Sequence, residues 1–377
     1  MTPTRRLNSL DALRGLIMIL MAMDHASYYI AHVHPFEFWT GPLPGYGDPG
    51  WFLTRELTHL CAPGFFFLMG AGMSLFAAAR HDLGWSHSRI TRALVTRGLL
   101  LIPVFYFIEA PIWVVPSLIL KQPLMGGDGA FIVLMVLVTL GLSMAVTAPL
   151  LRLSVRSWLA IAFIAILAAD FYLPTLKPTD PVNPLLRILL VPGATPPVMA
   201  GYPLLPWSGI CALGIAFGKL LQRNQDKALR AMLPMGLAYL IGFLGVRIGG
   251  GFGNLQLAAG PGLIPFLTVV KYPPSLAFIL LTLGINFTLL SFFHRAGAWL
   301  DTARRILSVY GQAPLFYYLA HLYLYGALGL LFFRTDGAPR WLFLLTWIAG
   351  VAVLYPACLR YRRFKESRPP ESLWRMF

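Results

Sequence analysis

The chain has 377 residues, of which 57% are hydrophobic and only 12% charged. Soluble domains carry about 25% charged residues, so this balance excludes an ordinary cytosolic globule; disorder, coiled coil and collagen need other biases. The formal net charge of +15 would suit nucleic acid, but its distribution along the chain assigns it to membrane orientation, and no nucleic-acid partner is expected.

A membrane span needs roughly 20 mostly apolar residues. Ten are predicted, at about 12–33, 58–79, 98–120, 129–151, 158–174, 202–221, 231–250, 274–293, 306–333 and 341–359. The fold class is therefore an all-α polytopic membrane protein, a bundle of about ten helices forming one domain over residues 1–377. Thirty prolines and 35 glycines are tolerable where neighbouring helices satisfy the freed backbone groups. The first apolar stretch ends in Asp24-His25, not in a small-residue cleavage site, so it is expected to stay as a span.

The first span opens with Asp11, an expected N-cap, and Arg14, either a headgroup anchor or a contact for an anionic cofactor. Asp24 and His25 fall near mid-bilayer at 1.5 Å per residue. Successive helical residues are about 100° apart, so these two do not share a face. His25 shares its face with Tyr28, Tyr29 and His32, and Asp24 is expected to look to another helix. At the mouth of the second span, Arg55 and His59 lie four residues apart on one face, as interfacial anchors or as a polar rim over a site. Glu109 falls in the outer half of the third span and Asp170 near the outer end of the fifth. His321 sits near the middle of the ninth, flanked by Tyr317 and Tyr325. Ionisable groups at membrane depth are costly and mark function by default; each also has a plainer reading, as a hydrogen-bond partner of a neighbouring helix.

With the N-terminus inside, 22 of the 30 Lys and Arg residues fall on the inner side and eight on the outer. The positive-inside bias then predicts cytoplasmic termini. The long outer loops, 34–57, 175–201 and 249–273, are where function is expected to face outward. Cys61, Cys211 and Cys358 form no disulfide framework and no metal spacing, and no metal is expected. There is no dinucleotide fingerprint or phosphate loop: the glycines at 249–253 follow a membrane helix rather than a strand.

Several segments together resemble one family. They are Arg6-Leu7-Asn8-Ser9-Leu10-Asp11-Ala12-Leu13-Arg14-Gly15 with Met21-Ala22-Met23-Asp24-His25, then Thr58-His59-Leu60-Cys61-Ala62-Pro63-Gly64, Tyr202-Pro203-Leu204-Leu205-Pro206-Trp207, Tyr272-Pro273-Pro274-Ser275-Leu276 and Pro314-Leu315-Phe316-Tyr317-Tyr318-Leu319-Ala320-His321. They resemble the heparan-alpha-glucosaminide N-acetyltransferase-like membrane proteins, in their bacterial branch, and run from the first span to the ninth. The resemblance implies a transmembrane acyltransferase of the bacterial inner membrane. Acetyl-CoA, or another acyl-CoA, would be its co-substrate, and an extracytoplasmic sugar or glycan of the cell envelope its acceptor. It implies a key histidine beyond the first span, for which His32 and His34 are both candidates. Aligned on that resemblance, the family's lysosomal member has an asparagine at the position of His25.

On this reading acyl-CoA enters from the basic face, its phosphates near Arg14 and the other inside arginines. His25, His321 or His59 takes the acceptor's proton or carries the acyl group transiently, and Asp24 orients a histidine. Tyr28, Tyr317 and Tyr325 are candidate oxyanion donors. Arg55, His32, His34 and Glu109 are the candidate acceptor contacts. The alternative class is a proton-coupled transporter or flippase for a small solute or lipid-linked sugar, with Asp24, Glu109, His25 and His321 as a relay. Beyond the lipid bilayer and the acceptor, the oligomeric state stays open, a homodimer included.

Overall fold

The computed structural model describes residues 8–119, 129–177, 180–369, 372 and 374. Arg5, Arg6, Lys121 and Arg375 of the charge count lie outside the described residues. So do the first two residues of the Arg6–Gly15 motif and residue 120 at the end of the third predicted span.

Helix α1 (Asn8–Ala26) runs into a π-helical turn, Ser27–Ala31. Next come α2 (Pro49–His59), α3 (Cys61–Asp82), α4 (His87–Val104), a second π-helical turn at Phe105–Glu109, and α5 (Ala110–Ile119). The middle of the chain forms α6 (Val136–Thr147), α7 (Val155–Tyr172), the short α8 (Pro184–Leu189), α9 (Leu204–Arg223), α10 (Gln225–Arg230) and α11 (Met232–Gly249). The last part forms α12 (Leu263–Leu267), α13 (Leu276–Arg295), α14 (Asp301–Gly311), α15 (Pro314–Phe332) and α16 (Arg340–Glu366). Among the described residues, eight helical stretches are long and apolar enough to cross a membrane: Pro49–Asp82, His87–Val115, Val155–Thr175, Leu204–Arg223, Gln225–Gly249, Leu276–Arg295, Pro314–Phe332 and Arg340–Glu366. The other two predicted positions are held by α1, which carries Asp11, Arg14 and Asp24, and by the shorter Val136–Leu150.

Three expectations change. The fourth predicted span, 129–151, is helical only from Val136, because Ile132–Leu134 (β1) leaves the helix to pair with a strand. That strand is β3 (Val198–Ala200), parallel to β1 with Val133 opposite Met199; β2 (Gly193–Thr195) pairs antiparallel on its other side. The ninth predicted span, 306–333, is broken between α14 and α15. Pro314 has no N–H to give and pushes the preceding residue out of the α region; Ala313 sits at φ −125°, ψ 47°. Asp11 is not the cap of α1, which already begins at Asn8; it lies in the first turn and accepts from Arg14 at 3.0 Å.

Glycines bring several helix pairs into backbone contact, as membrane bundles require. A Cβ on Gly15 would stand 1.8 Å from the Leu307 carbonyl oxygen, and one on Gly311 2.1 Å from that of Asp11. These contacts clamp α14 to α1. Gly70 and Gly214 do the same between α3 and α9. The start of α1 and the end of α16 share one end of the bundle: Gln312, in the break, donates to Asp11 at 2.9 Å and accepts from Lys365 at 3.2 Å. At the opposite end the long loops dock on each other. The backbone N–H groups of Lys271 and Tyr272 donate to the Glu37 carbonyl at 3.0 and 3.1 Å.

Candidate active site

The two polar stripes meet. α1 packs against α15, and His25 Nδ1 lies 2.7 Å from His321 Nε2 with the rings nearly coplanar, 12° apart. His321 is fully buried, and its Nδ1 lies 2.7 Å from the Tyr317 carbonyl oxygen. A carbonyl only accepts, so this Nδ1 carries the proton. In neutral His321, Nε2 is then an acceptor, and His25 Nδ1 must donate to it. The remaining nitrogen of His25, Nε2, is left with a lone pair. It has no hydrogen-bond partner among the described residues, and His25 lines a cavity between Trp113 and Tyr318.

Asp24 faces another helix, as its angle on α1 predicts. Its Oδ1 accepts from Arg55 Nη1 at 2.9 Å and from Thr58 at 2.8 Å. The histidine it approaches is neither His25 nor His321 but His34, whose Nδ1 is 3.7 Å away. Burial pushes the His34 imidazole down to about 3, against the opposing pull of Asp24, so it is neutral at physiological pH. Arg55 is buried and its donors are used: Nε and Nη2 grip both Glu37 oxygens at 2.9 and 2.7 Å. Burial alone would raise the Glu37 carboxyl, but Arg55 and His59 overcome it and hold it well below the usual range. His59 lies buried between Glu37 and Glu56, 3.3 Å from each. Arg55 and His59 thus form a closed network behind Asp24 rather than an open rim.

Of the other predicted positions, Glu109 lines the same cavity and accepts from Tyr318 at 2.7 Å. His32 is exposed in a left-handed conformation (φ 57°), because the π-helical turn ends there and the chain leaves the helix. Asp170 is buried and accepts from the Leu276 N–H at 3.1 Å, at the start of α13, where Ser275 is the N-cap. Tyr28 lines the cavity; Tyr325 instead donates to the Trp347 carbonyl at 2.8 Å, and the Tyr317 ring stacks on His321. Cys61 is buried and donates to the Ile17 carbonyl.

Two cavities meet at this point. The smaller, about 80 Å³, is lined by Asp24, His25, Tyr28, His34, Glu109 and Lys271 among others. The larger, about 1170 Å³, opens at the end shared by α1 and α16. It exceeds the roughly 300–1,000 Å³ of ordinary small-molecule sites. Met21, Phe65, Val136 and Tyr318 line both. Arg14, Arg97, Arg362 and Lys365 line the larger. Arg97 makes neither a hydrogen bond nor an ion pair with a described residue, and Asp11, Asp82 and Glu366 line the same cavity. Among the described residues no group of three or more His, Cys, Asp or Glu side chains is placed to hold a metal.

Sequence reasoning missed Glu37, Trp113 and Lys271, which sit in loops or on a distant helix that only folding brings to Asp24 and His25. Arg97 and the two basic residues of α16 were legible in sequence only as members of the basic inner face, not as residues of one cavity. A family model described as heparan-alpha-glucosaminide N-acetyltransferase, catalytic, matches residues 6–247 of the chain. Among curated proteins, none matches.

Proposed function

The chain belongs to the heparan-alpha-glucosaminide N-acetyltransferase family, and from that premise we propose that it moves an acetyl group from cytoplasmic acetyl-CoA to an extracytoplasmic sugar or glycan. One observation carries the reading: a large cavity from the basic end, with four basic residues in its wall, and a small histidine-lined cavity from the loop end share the walls Met21, Phe65, Val136 and Tyr318. A donor and an acceptor from opposite sides meet there without either crossing.

Arg14, Arg97, Arg362 and Lys365 hold the phosphates of the donor, and the pantetheine arm follows the apolar wall formed by Leu68, Met69 and Leu140. The thioester reaches the shared wall. The acceptor's amine or hydroxyl, in the small cavity, attacks the thioester carbonyl carbon while His25 Nε2 takes its proton. The carbon–sulfur bond breaks, and the proton passes to the departing thiolate. His321 holds His25 in the tautomer that leaves Nε2 free, a positioning task that a carboxylate performs in serine hydrolase triads. Its own proton is fixed by the Tyr317 carbonyl.

A second reading of the base rests on the 3.7 Å approach of His34 to Asp24, which leaves His34 Nε2 as a base in the same cavity. His25 is preferred because both hydrogen bonds of its relay are at 2.7 Å. Purified protein with radiolabelled acetyl-CoA and D-glucosamine tests the function. Release of CoA with stoichiometric N-acetylglucosamine is expected. Solute counterflow in vesicles without CoA turnover would replace the enzyme by a transporter.

A further inference from the structure

Asp24 and Glu109 both line the small cavity, but their surroundings differ. Asp24 accepts from Arg55 and Thr58, and Lys271 lies within electrostatic reach of it. Glu109 is 3% exposed and is supported by uncharged donors. Tyr318 donates to its Oε1 at 2.7 Å, and the Trp113 indole adds a second hydrogen bond to the carboxyl. Its Oε2 is buried without a hydrogen-bond partner among the described residues, and no described cation forms an ion pair with it. The backbone explains the placement. Glu109 closes the π-helical turn Phe105–Glu109, and Trp113 follows four residues later on the same face. Pro116 has no N–H to give the Ile112 carbonyl, which instead accepts from Tyr29 at 3.2 Å and ties this helix to the end of α1.

The same two rings link Glu109 to His25. Trp113 and Tyr318, which hold the carboxyl, meet the His25 ring edge-on, with centroids 5.6 and 6.1 Å away. A carboxyl buried without a cation must take up either a cation or a proton, and an amine acceptor brings both. A sugar amine titrates near the α-amino range, about 7.7–8.0, so at neutral pH it arrives largely as an ammonium with no lone pair. Acetylation removes two protons from that nitrogen, and His25 Nε2 has room for one.

We infer that Glu109 is a second base, which holds the acceptor's ammonium and takes its first proton before attack. The inference rests on the proposed function for the transfer that follows. Glu109 Oε2 accepts one proton from the ammonium, leaving a neutral amine and a carboxylic acid. The amine lone pair then forms the carbon–nitrogen bond at the thioester carbonyl while His25 Nε2 takes the second proton. The carbon–sulfur bond breaks, and that second proton goes to the thiolate. The first proton leaves Glu109 toward the loop end, which restores the carboxylate, so each turnover releases one proton. A hydroxyl acceptor loses one proton only and would leave Glu109 idle.

The test measures kcat/KM for D-glucosamine against pH in detergent-purified wild type and in Glu109→Gln, whose amide oxygen still accepts from Tyr318. Near neutral pH the variant should lose about 10- to 100-fold, the worth of a charge-assisted hydrogen bond. At alkaline pH the amine arrives already free, so this loss should shrink about three- to tenfold between about pH 7 and pH 9. Glu109→Asp, which keeps a carboxylate, should follow the wild-type profile. His25, Tyr28 and Tyr29 from α1 and its turn, Tyr318 and Tyr323 from α15, and Asp24, His34, Lys271, Tyr202 and Tyr272 across the cavity also face this region. They are the same in both proteins, so their titration cancels in the ratio. A loss of the same size at every pH would overturn the inference and leave the transferase reading standing. Should Glu109→Gln not fold, thermal shift on wild type decides. Glucosamine should then stabilise more than glucose near neutral pH, by a margin that shrinks at about pH 9; equal stabilisation by the two sugars would overturn the inference. If glucosamine stabilises wild type and not Glu109→Gln, yet no sugar is acetylated, the ammonium site stands and the transferase reading falls.

Discussion

The histidine relay makes the sharpest prediction. His25→Ala removes the base itself, and general-base help is worth about 10²–10⁴ in rate. His321→Ala leaves the base in place but removes the acceptor 2.7 Å from His25 Nδ1. When His25 takes a proton during transfer, that hydrogen bond becomes one to a charged group, worth about 1.5–3 kcal/mol. At about 1.36 kcal/mol per decade, kcat should fall roughly 10- to 150-fold while KM for acetyl-CoA stays near wild type. His321→Gln offers an amide oxygen toward His25 and an N–H toward the Tyr317 carbonyl, so it should recover most of the loss. A merely structural His321 would not show this rescue. The assay is steady-state acetylation of glucosamine by purified variants with wild-type size-exclusion profiles. Undiminished kcat in His321→Ala would refute the relay. A larger loss in His34→Ala than in His25→Ala would move the base to His34 and its Asp24 partner.

Arg14→Gln and Arg97→Gln should each raise KM for acetyl-CoA several-fold with little change in kcat, and salt should weaken donor binding in the wild-type protein; an unchanged KM in the double variant would remove these residues from the donor site. Arg55→Met strands the Glu37 and Asp24 carboxylates in a buried place, at a cost of about 3–5 kcal/mol, so it should lower the Tm sharply or abolish folding, whereas a residue of an open rim would show only a rise in acceptor KM. Stability should fall on acidification: unfolded His34 binds a proton below its ordinary value of 6.5, which the folded protein refuses until about pH 3, and Glu37, held low when folded, adds the same sign below about pH 4.3. His34→Gln should flatten the Tm profile between about pH 6.5 and 4.5, and an unaltered profile would contradict the burial argument. The basic bias predicts residues 36–50 outside the cytoplasm, so a cysteine introduced there should react with an impermeant reagent in intact cells; protection until lysis would reverse the topology.

How much of this was legible in the sequence depends on how local each signal was. Hydropathy marks helices wherever backbone groups must satisfy themselves, so the ten apolar stretches and the cost of Asp24, His25, Glu109 and His321 at depth could be read along the chain. Helical angles alone sent Asp24 away from His25, and the structure finds it on Arg55 and Thr58. The limits appear where one segment's conformation depends on another. Ile132–Leu134 is apolar enough for a helix, but β3 claims it as a strand. His32 and His34 differ by two positions in sequence, and only the π-helical turn with its left-handed exit decides that His34 faces Asp24 while His32 stays exposed. Arg55 reads in sequence as a rim residue because nothing local shows Glu37 folding back over it. Composition and periodicity determined the class, the helix positions and the list of expensive polar residues, because those follow from transfer free energies summed over neighbours in sequence. Which of those residues share a cavity and which neutralise one another were decided by tertiary packing, since Arg55 meets carboxylates 18 and 31 residues away and His25 meets a histidine 296 residues away.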